Sequence, residues 1–413
     1  MFYGIITLAA SRLKLEKNFS SILIFSLLFA VVEFFRGFVL GGFPWNLIVY
    51  SWTSYLDSLQ ILSLIGTYSF NLISITIFLL PTVIFFKKNL KFKLISFIFL
   101  LVILASNYFY GFQKIKNNEK LYTEFKDFKI KLISPKISIE RFFQPNNEEA
   151  IIEELIELSN PDISHNTIFI FPEGALAGVN LNQLKSFKEI FSKRYSEEHI
   201  IIMGINTKKL INNSSKIYNS MVILDNKLNL ISEYNKINLV PFGEFFPLEK
   251  FFKKFGLKKI SYGYESFSAG NDRQLISLDD KNFNFIPLIC YEIIYSGKVN
   301  LKSDKTNFII NISEDGWFGD SIGPHQHFSH TIFRAIEEGK NIIRSTNNGI
   351  SAYIDSNGIV IAKLESTQKG VIETSNYKKL EKTLFSKIGN KIFFYFVLFY
   401  ISLFFFIYKK ERQ

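Results

Sequence analysis

Along the chain, apolar residues gather at the two ends and alternate with polar ones in the middle. Residues 19–40, 59–86, 94–112 and 392–408 are almost uninterrupted apolar runs. Each is long enough to cross a bilayer, the last near the lower limit of about 17 residues. Residues 1–11 are apolar but too short to cross, and read as the remnant of a further span. No charged segment precedes them, which argues against a signal peptide. Between the runs, short β-branched and aromatic stretches predict strands at 128–134, 166–173, 199–205, 217–224, 283–290, 306–313 and 349–355, with a strand-like "LNLISEY" before residue 235. Helical periodicity falls at 147–159, 181–196 and 327–339. The alternation predicts an α/β domain at 113–390, inserted between N-terminal membrane helices at 1–112 and a C-terminal helix and tail at 391–413. There is no internal repeat and no phosphate-binding glycine loop.

Charge adds an orientation. "RLKLEK" (12–17) and "KKNLKFK" (87–93) are separated by two spans, so they share a side, and the excess of Lys and Arg places that side in the cytoplasm. A third crossing then puts 113–390 outside, and the last span returns "KKERQ" to the cytoplasm. Lys378, Lys379, Lys382, Lys387 and Lys391, just before that span, pull against this orientation. The net charge of +11 comes from dispersed lysines without a nucleic-acid motif, so a membrane surface is the expected partner and nucleic acid is not.

Composition changes the picture at one residue. Cys290 is the only cysteine among 413 residues, so it forms no internal disulfide and serves either packing or reactivity. It closes the strand "FNFIPLI". Glu173 follows "FIFP", and Lys236 follows "LNLISEYN". The carboxyl ends of α/β strands are where such sheets build sites. A carboxylate that moves protons, an ammonium that stabilises an oxyanion and a thiol that attacks would together make a nucleophilic centre. Taken singly, each residue has a plainer reading: a core thiol, a helix-capping acid and a solvated loop charge.

The surrounding segments resemble the carbon-nitrogen hydrolase (nitrilase) superfamily, whose Glu, Lys and Cys occur in this order. "FPEGAL", "NKINLVPFGEFFP" and "LICYEIIY" match the segments that carry them, and "NISEDGWFG" and "HQHFSHTIFRAIEEGKNIIRSTNNGISAYIDSNG" follow in sequence. The flanking spans and "VEFFRGFVLGGFPWN" (32–46) resemble one branch, the apolipoprotein N-acyltransferases, over almost the whole chain. That resemblance implies a nitrilase-like α-β-β-α sandwich in a multi-pass protein of the bacterial inner membrane, with its catalytic domain on the periplasmic side. It implies a phospholipid acyl donor, a diacylglyceryl-apolipoprotein acceptor, a cysteine thioester, and neither cofactor nor metal. Carried over, Cys290 is the nucleophile, Glu173 the base and acid, and Lys236 the oxyanion-stabilising cation. Glu244 and Glu292 become acids that orient Lys236 or relay protons, and Tyr291 shapes the pocket. The family more often has Asn at the place of Glu314 and His at that of Asn238, and usually more N-terminal spans, so this chain reads as truncated or unusually short.

Other features have their own readings. His325, His327 and His330 lack a completing carboxylate, so packing is favoured over a metal. Glu33 and Arg36, one turn apart in a span, predict a structural ion pair. Trp317 is a packing residue or lines a lipid entrance, and "EFFPLEKFFKKFGL" (244–257) is a candidate interfacial lid or an ordinary amphipathic helix. Two rival functions remain: a membrane-tethered amidase or nitrilase acting on a small amide, and an inactive lipid- or partner-binding domain.

Overall fold

The computed structural model describes residues 1–13, 15–125, 127–142, 147–211, 214–245, 266–299, 305–306 and 308–413. The candidate lid at 244–257 falls outside them from residue 246 onward. Among the described residues, four helices are long and apolar enough to cross a membrane: Phe19–Arg36, Leu62–Phe85, Leu90–Asn117 and Lys391–Arg412. Their starts are set by caps as well as by hydrophobicity. Asn18 accepts the Ser21 N–H at 2.9 Å, and Asn89 accepts that of Phe92 at 2.9 Å. The first span stops at Arg36, short of the expected residue 40, because Gly42 turns back on it with φ of +73°, where a Cβ would lie 2.2 Å from the Gly37 carbonyl oxygen. Arg36 reaches Glu33 at 3.4 Å and Asn46 at 2.7 Å, so the pair expected from the sequence is formed. The short helix Phe2–Arg12 precedes these.

In the middle of the chain, fourteen strands form two six-stranded sheets and one short ribbon among the described residues. They are β1 (Tyr122–Glu124), β2 (Lys129–Ser134), β3 (Thr167–Ile170), β4 (Ile200–Ile211), β5 (Ser214–Leu224), β6 (Leu230–Asn235), β7 (Ile276–Leu278), β8 (Phe283–Ile289), β9 (Phe308–Glu314), β10 (Asn341–Asn347), β11 (Ser351–Ile354), β12 (Val360–Leu364), β13 (Gly370–Thr374) and β14 (Asn376–Lys378). One sheet has the order β13-β2-β3-β4-β5-β6, the other β12-β11-β10-β9-β8-β7, and β1 pairs with β14. The central pairs β2/β3, β3/β4, β8/β9 and β9/β10 are parallel, and the flanking pairs are antiparallel.

Alternation along the strands sorts side chains into layers. Ile130, Leu132, Ile168, Ile170 and Ile202 face Phe285, Ile289, Ile310 and Ile312 between the sheets. Ile133, Phe169, Ile201 and Met203 point the other way, onto Ile152, Leu155 and Ile156 of the helix Glu148–Ser159. Each such side chain, fully buried, stabilises the fold by about 1.5–3 kcal/mol. The second sheet is covered by the helix Gly323–Glu338, through Phe333 and Ile336. The result is the expected α-β-β-α sandwich.

That last helix also joins the sandwich to the membrane helices. Gly66 breaks the helical path of the second span with φ of +72° and ψ of 174°, freeing backbone N–H groups. Glu337 takes the Thr67 N–H and hydroxyl, both at 2.6 Å, and the Ser296 hydroxyl at 2.8 Å, while Arg334 pairs with Glu337 at 2.6 Å. All are buried. The catalytic-type sheet is therefore held against the spans by a polar knot, as well as by apolar packing.

One expectation needs correction, and one strand was not foreseen. The helix foreseen at 181–196 is interrupted by a 3-10 turn at Lys185–Phe187. The run "NIIRSTN", which carries too many polar residues to read as a strand, is the fully buried β10.

Candidate active site

The candidate residues meet because three strand ends meet. Glu173 follows β3, whose hydrogen bonding continues through the Phe171 N–H to the Ile202 carbonyl at 2.8 Å. The segment crosses β4 at Gly204, where a Cβ would lie 2.5 Å from the Glu173 Cα. Lys236 follows β6 and stays in register: its N–H donates to the Asn219 carbonyl at 2.9 Å, and its own carbonyl accepts from Gly270 at 2.8 Å. Cys290 is the first residue after β8 and adopts φ of +51°. A non-glycine residue in that region costs on the order of 1–3 kcal/mol, so the surroundings must hold it there. They do so through Asn311, whose amide donates to the Cys290 carbonyl at 3.2 Å, and through Glu292, whose carboxylate accepts the Ile289 N–H at 2.9 Å.

Lys236 is 1% exposed, and its ammonium lies 2.9 Å from Glu244 Oε1 and 3.3 Å from Glu173 Oε1. Asn219 Nδ2 donates to the same two oxygens, at 2.8 and 2.6 Å. Glu173 Oε2 accepts the Glu314 N–H at 3.0 Å, and Glu244 Oε2 accepts that of Val240 at 2.8 Å. Burial works against the Lys236 charge, but Glu173 and Glu244 outweigh it and hold its pKa well above the ordinary lysine value. The Cys290 thiol is pushed up, first by burial and then by the Glu173 charge, with Lys236 pulling the other way. At neutral pH the resting sulfur therefore carries its proton, and attack requires a base.

Glu292 has a different place. It accepts the Tyr234 hydroxyl at 2.9 Å, the Ile237 and Asn238 N–H groups at 3.0 and 3.1 Å, and Arg273 at 3.0 Å. It clamps the chain after Lys236 to the turn that carries Cys290. Tyr291 donates to the Leu239 carbonyl at 2.9 Å, and its ring centroid is 5.9 Å from the Lys236 ammonium. Tyr295 OH stands 2.7 Å from that of Tyr291 and within 2.9 Å of the Gly41 carbonyl, linking the site to the loop after the first span.

The histidines are engaged elsewhere. His327 Nδ1 pairs with Asp315 at 2.9 Å, and His330 packs edge-on to Tyr50 at 4.2 Å between ring centroids. No metal-holding group of side chains occurs among the described residues.

Several supporting residues escape pattern reading. Asn219 is an ordinary polar position in a strand until its two carboxylate partners are seen. Arg141 donates to the Gly174 carbonyl through Nη2 at 2.7 Å and Nε at 3.1 Å, and pairs with Glu314 at 2.5 Å with both side chains buried. Asn347 adds a bond to Glu314 at 2.7 Å. Glu314 is thus matched by a buried arginine, and the pair holds the backbone on both sides of the Glu173 carboxylate. Burial raises the Glu314 pKa against the opposing pull of Arg141.

The two stacked sheets bring a thiol, an ammonium and a carboxylate together at their strand ends, and the family model described as "Carbon-nitrogen hydrolase" matches residues 150–375, more than half of the chain, so the chain belongs to the carbon-nitrogen hydrolases. The model for the apolipoprotein N-acyltransferase N-terminal domain matches residues 1–80. Among curated relatives, the apolipoprotein N-acyltransferase of Rickettsia prowazekii is 32% identical over 372 residues, covering 89% of this chain and 73% of the relative. That of Rickettsia bellii is 33% identical over 397 residues, covering 92% and 75%. The chain belongs to the apolipoprotein N-acyltransferase family. A solved CN-hydrolase superfamily protein from Xanthomonas campestris aligns with a TM-score of 0.43 and 14% identity over 60% of this chain and 89% of that one, and adds nothing to the family match.

Proposed function

We propose that this membrane protein moves an acyl chain from a phospholipid, through a thioester on Cys290, to the α-amino group of the N-terminal S-diacylglyceryl-cysteine of apolipoproteins. The observation that carries the reading is the buried Lys236 ammonium, bonded to Glu173 and Glu244 at the strand ends beside Cys290. In the first half-reaction Glu173 takes the thiol proton as sulfur attacks the ester carbonyl. The oxyanion forms against Lys236, the C–O bond breaks, and Glu173 returns the proton to the departing lysophospholipid oxygen. In the second, the acceptor amine attacks the thioester, Glu173 takes a proton from nitrogen, and the thiolate leaves and is reprotonated. Glu244 and Glu292 position Lys236, and Tyr291 walls its other face.

The bilayer supplies the donor sideways. Phe43, Phe242 and Trp317 are 50%, 59% and 57% exposed, apolar surface that suits a lipid substrate better than a small soluble amide. We assign residues 1–112 and 391–413 to the membrane part and 113–390 to the catalytic domain, on the periplasmic side of the inner membrane, from the charge of the 12–17 and 87–93 loops. Family membership leaves the small-amide reading with less support. Phospholipid vesicles plus a diacylglyceryl lipopeptide should give N-acylated peptide, while soluble aliphatic amides should release no ammonia. The reverse result would make it an amidase.

A further inference from the structure

A second cavity lies away from Cys290, where the spans enter the domain. It has a volume of about 350 Å³, and its lining includes Lys298, Lys387 and Lys391 together with Phe34, Phe38 and Phe394. None of Glu173, Lys236, Glu244 or Cys290 lines it. Its charged lining residues are all positive. No Asp or Glu lines it, and among the described residues no carboxylate pairs with any of the three lysines.

Lys298 is the telling member. It is half-buried, and its ammonium stands 4.7 Å from the Phe38 ring centroid and 4.5 Å from that of Tyr295. Aromatic faces attract a cation but do not neutralise it. Burial, with a smaller push from Arg273, lowers the Lys298 pKa, the expected cost of holding an ammonium without an anion. The 22-residue helix Lys391–Arg412 begins at the same cavity, adding the positive end of its dipole. Of the phenylalanines, Phe38 and Phe394 are 39% and 52% exposed, at the ends of two helices that span the membrane.

Unpaired ammonium groups facing the membrane surface above exposed phenyl rings are complementary to one class of molecule: an amphiphile with an anionic head and acyl tails. We infer that this cavity is a second lipid site, holding a glycerophospholipid of the bilayer by its headgroup phosphate, apart from the acyl donor at Cys290. The phosphate sits among Lys298, Lys387 and Lys391, and the tails follow the phenylalanines into the bilayer. The site touches the candidate active site through two side chains, Arg273 and Tyr295. Arg273 donates to the Lys298 carbonyl at 2.7 Å and to Glu292 at 3.0 Å. Tyr295 stacks on Lys298 and places its hydroxyl 2.7 Å from that of Tyr291, so the bound lipid braces the wall of the Lys236 pocket.

The test uses the full chain carrying Cys290→Ala, which cannot turn over donor, stripped of lipid in a non-ionic detergent. Native mass spectrometry then follows titration with dioleoylphosphatidylglycerol, with dioleoylglycerol, or with inorganic phosphate. One phosphatidylglycerol should bind at a site that dioleoylglycerol does not fill and that inorganic phosphate occupies only at far higher concentration. Replacing Lys298, Lys387 or Lys391 by Gln should weaken it roughly fivefold per charge removed, and replacing all three by Arg should preserve it, which separates lost charge from lost folding. The inference is overturned if the triple Gln protein binds phosphatidylglycerol as the parent does, if dioleoylglycerol fills the site equally, or if inorganic phosphate alone binds as tightly. Because the parent already lacks the thiol, none of these outcomes depends on the thioester chemistry.

Discussion

The Lys236 ammonium lies nearer to Glu244, at 2.9 Å, than to Glu173, at 3.3 Å. Glu244 thus shares with Glu173 the pairing that keeps Lys236 charged while buried, and Glu173 is the carboxylate proposed to exchange the proton. Lys236→Ala and Glu173→Ala should each lower the acyl-transfer rate by about 10²–10⁴-fold in protein that still folds. Lys236→Arg should also fail, since a planar guanidinium does not fit between Glu173, Glu244 and the Tyr291 ring. Glu244→Gln should cost less, on the order of tenfold, because the amide still accepts from Lys236. Turnover of a fluorescent lipopeptide by each purified variant checks the ranking, and near-normal activity of either alanine variant removes the triad assignment.

The raised Cys290 pKa gives Glu173→Gln a diagnostic sign. As a mere charge, Glu173 only raises the thiol pKa, so its removal would make Cys290 more reactive at neutral pH. As the base, it accepts the thiol proton, so its removal should slow alkylation of Cys290 by iodoacetamide. The slow variant should recover as pH climbs and hydroxide titrates the thiol directly, whereas the parent should react readily near neutrality. Measuring alkylation rates from pH 6 to 10 by mass spectrometry decides the sign.

Arg141 and Glu314 form a buried pair around the Glu173 segment, with side chains 3% and 1% exposed. Removing one partner leaves a buried charge alone, at a cost of about 3–5 kcal/mol. Arg141→Met or Glu314→Asn should each lower the unfolding temperature of the detergent-solubilised protein, and the double variant should regain at least half of the loss. Activity should follow a different order. Arg141→Met and the double variant should both remain slow, because both leave the Gly174 carbonyl without its two donors. Full activity in a stable double variant would show that the pair only supports the fold.

Orientation follows from the basic loops. With a small epitope inserted at residues 164–165, an exposed turn before β3, and another after Gln413, protease added to cells with a permeabilised outer membrane should destroy the first and spare the second. The opposite pattern would place the domain in the cytoplasm.

The spans, the strands β2, β3, β4, β5, β8, β9 and β11, and the three candidate residues were legible because each depends on local pattern. Apolar length gives the spans, β-branched runs give the strands, and the strand ends give the polar residues. β10 was not legible, because its burial is compensated by partners distant in sequence: Arg344 meets Asp315 at 2.8 Å, and Asn347 meets Glu314. Asn219 and Arg141 escaped for the same reason. Each is an unremarkable polar residue until β5 and the 137–142 segment are laid beside Glu173. Glu292 was legible as an important acid through its motif, but its duty as a clamp on the Lys236 loop emerges only from its five partners.

The central claim is that the acyl chain rests on Cys290 between the two substrates. Purified protein incubated with phospholipid and no acceptor, then digested and weighed, should show one acyl mass on the Cys290 peptide. Hydroxylamine should remove it, and a diacylglyceryl lipopeptide should discharge it with formation of N-acylated product. Transfer to the lipopeptide that requires both substrates together, with Cys290 never found acylated during turnover, would contradict the account.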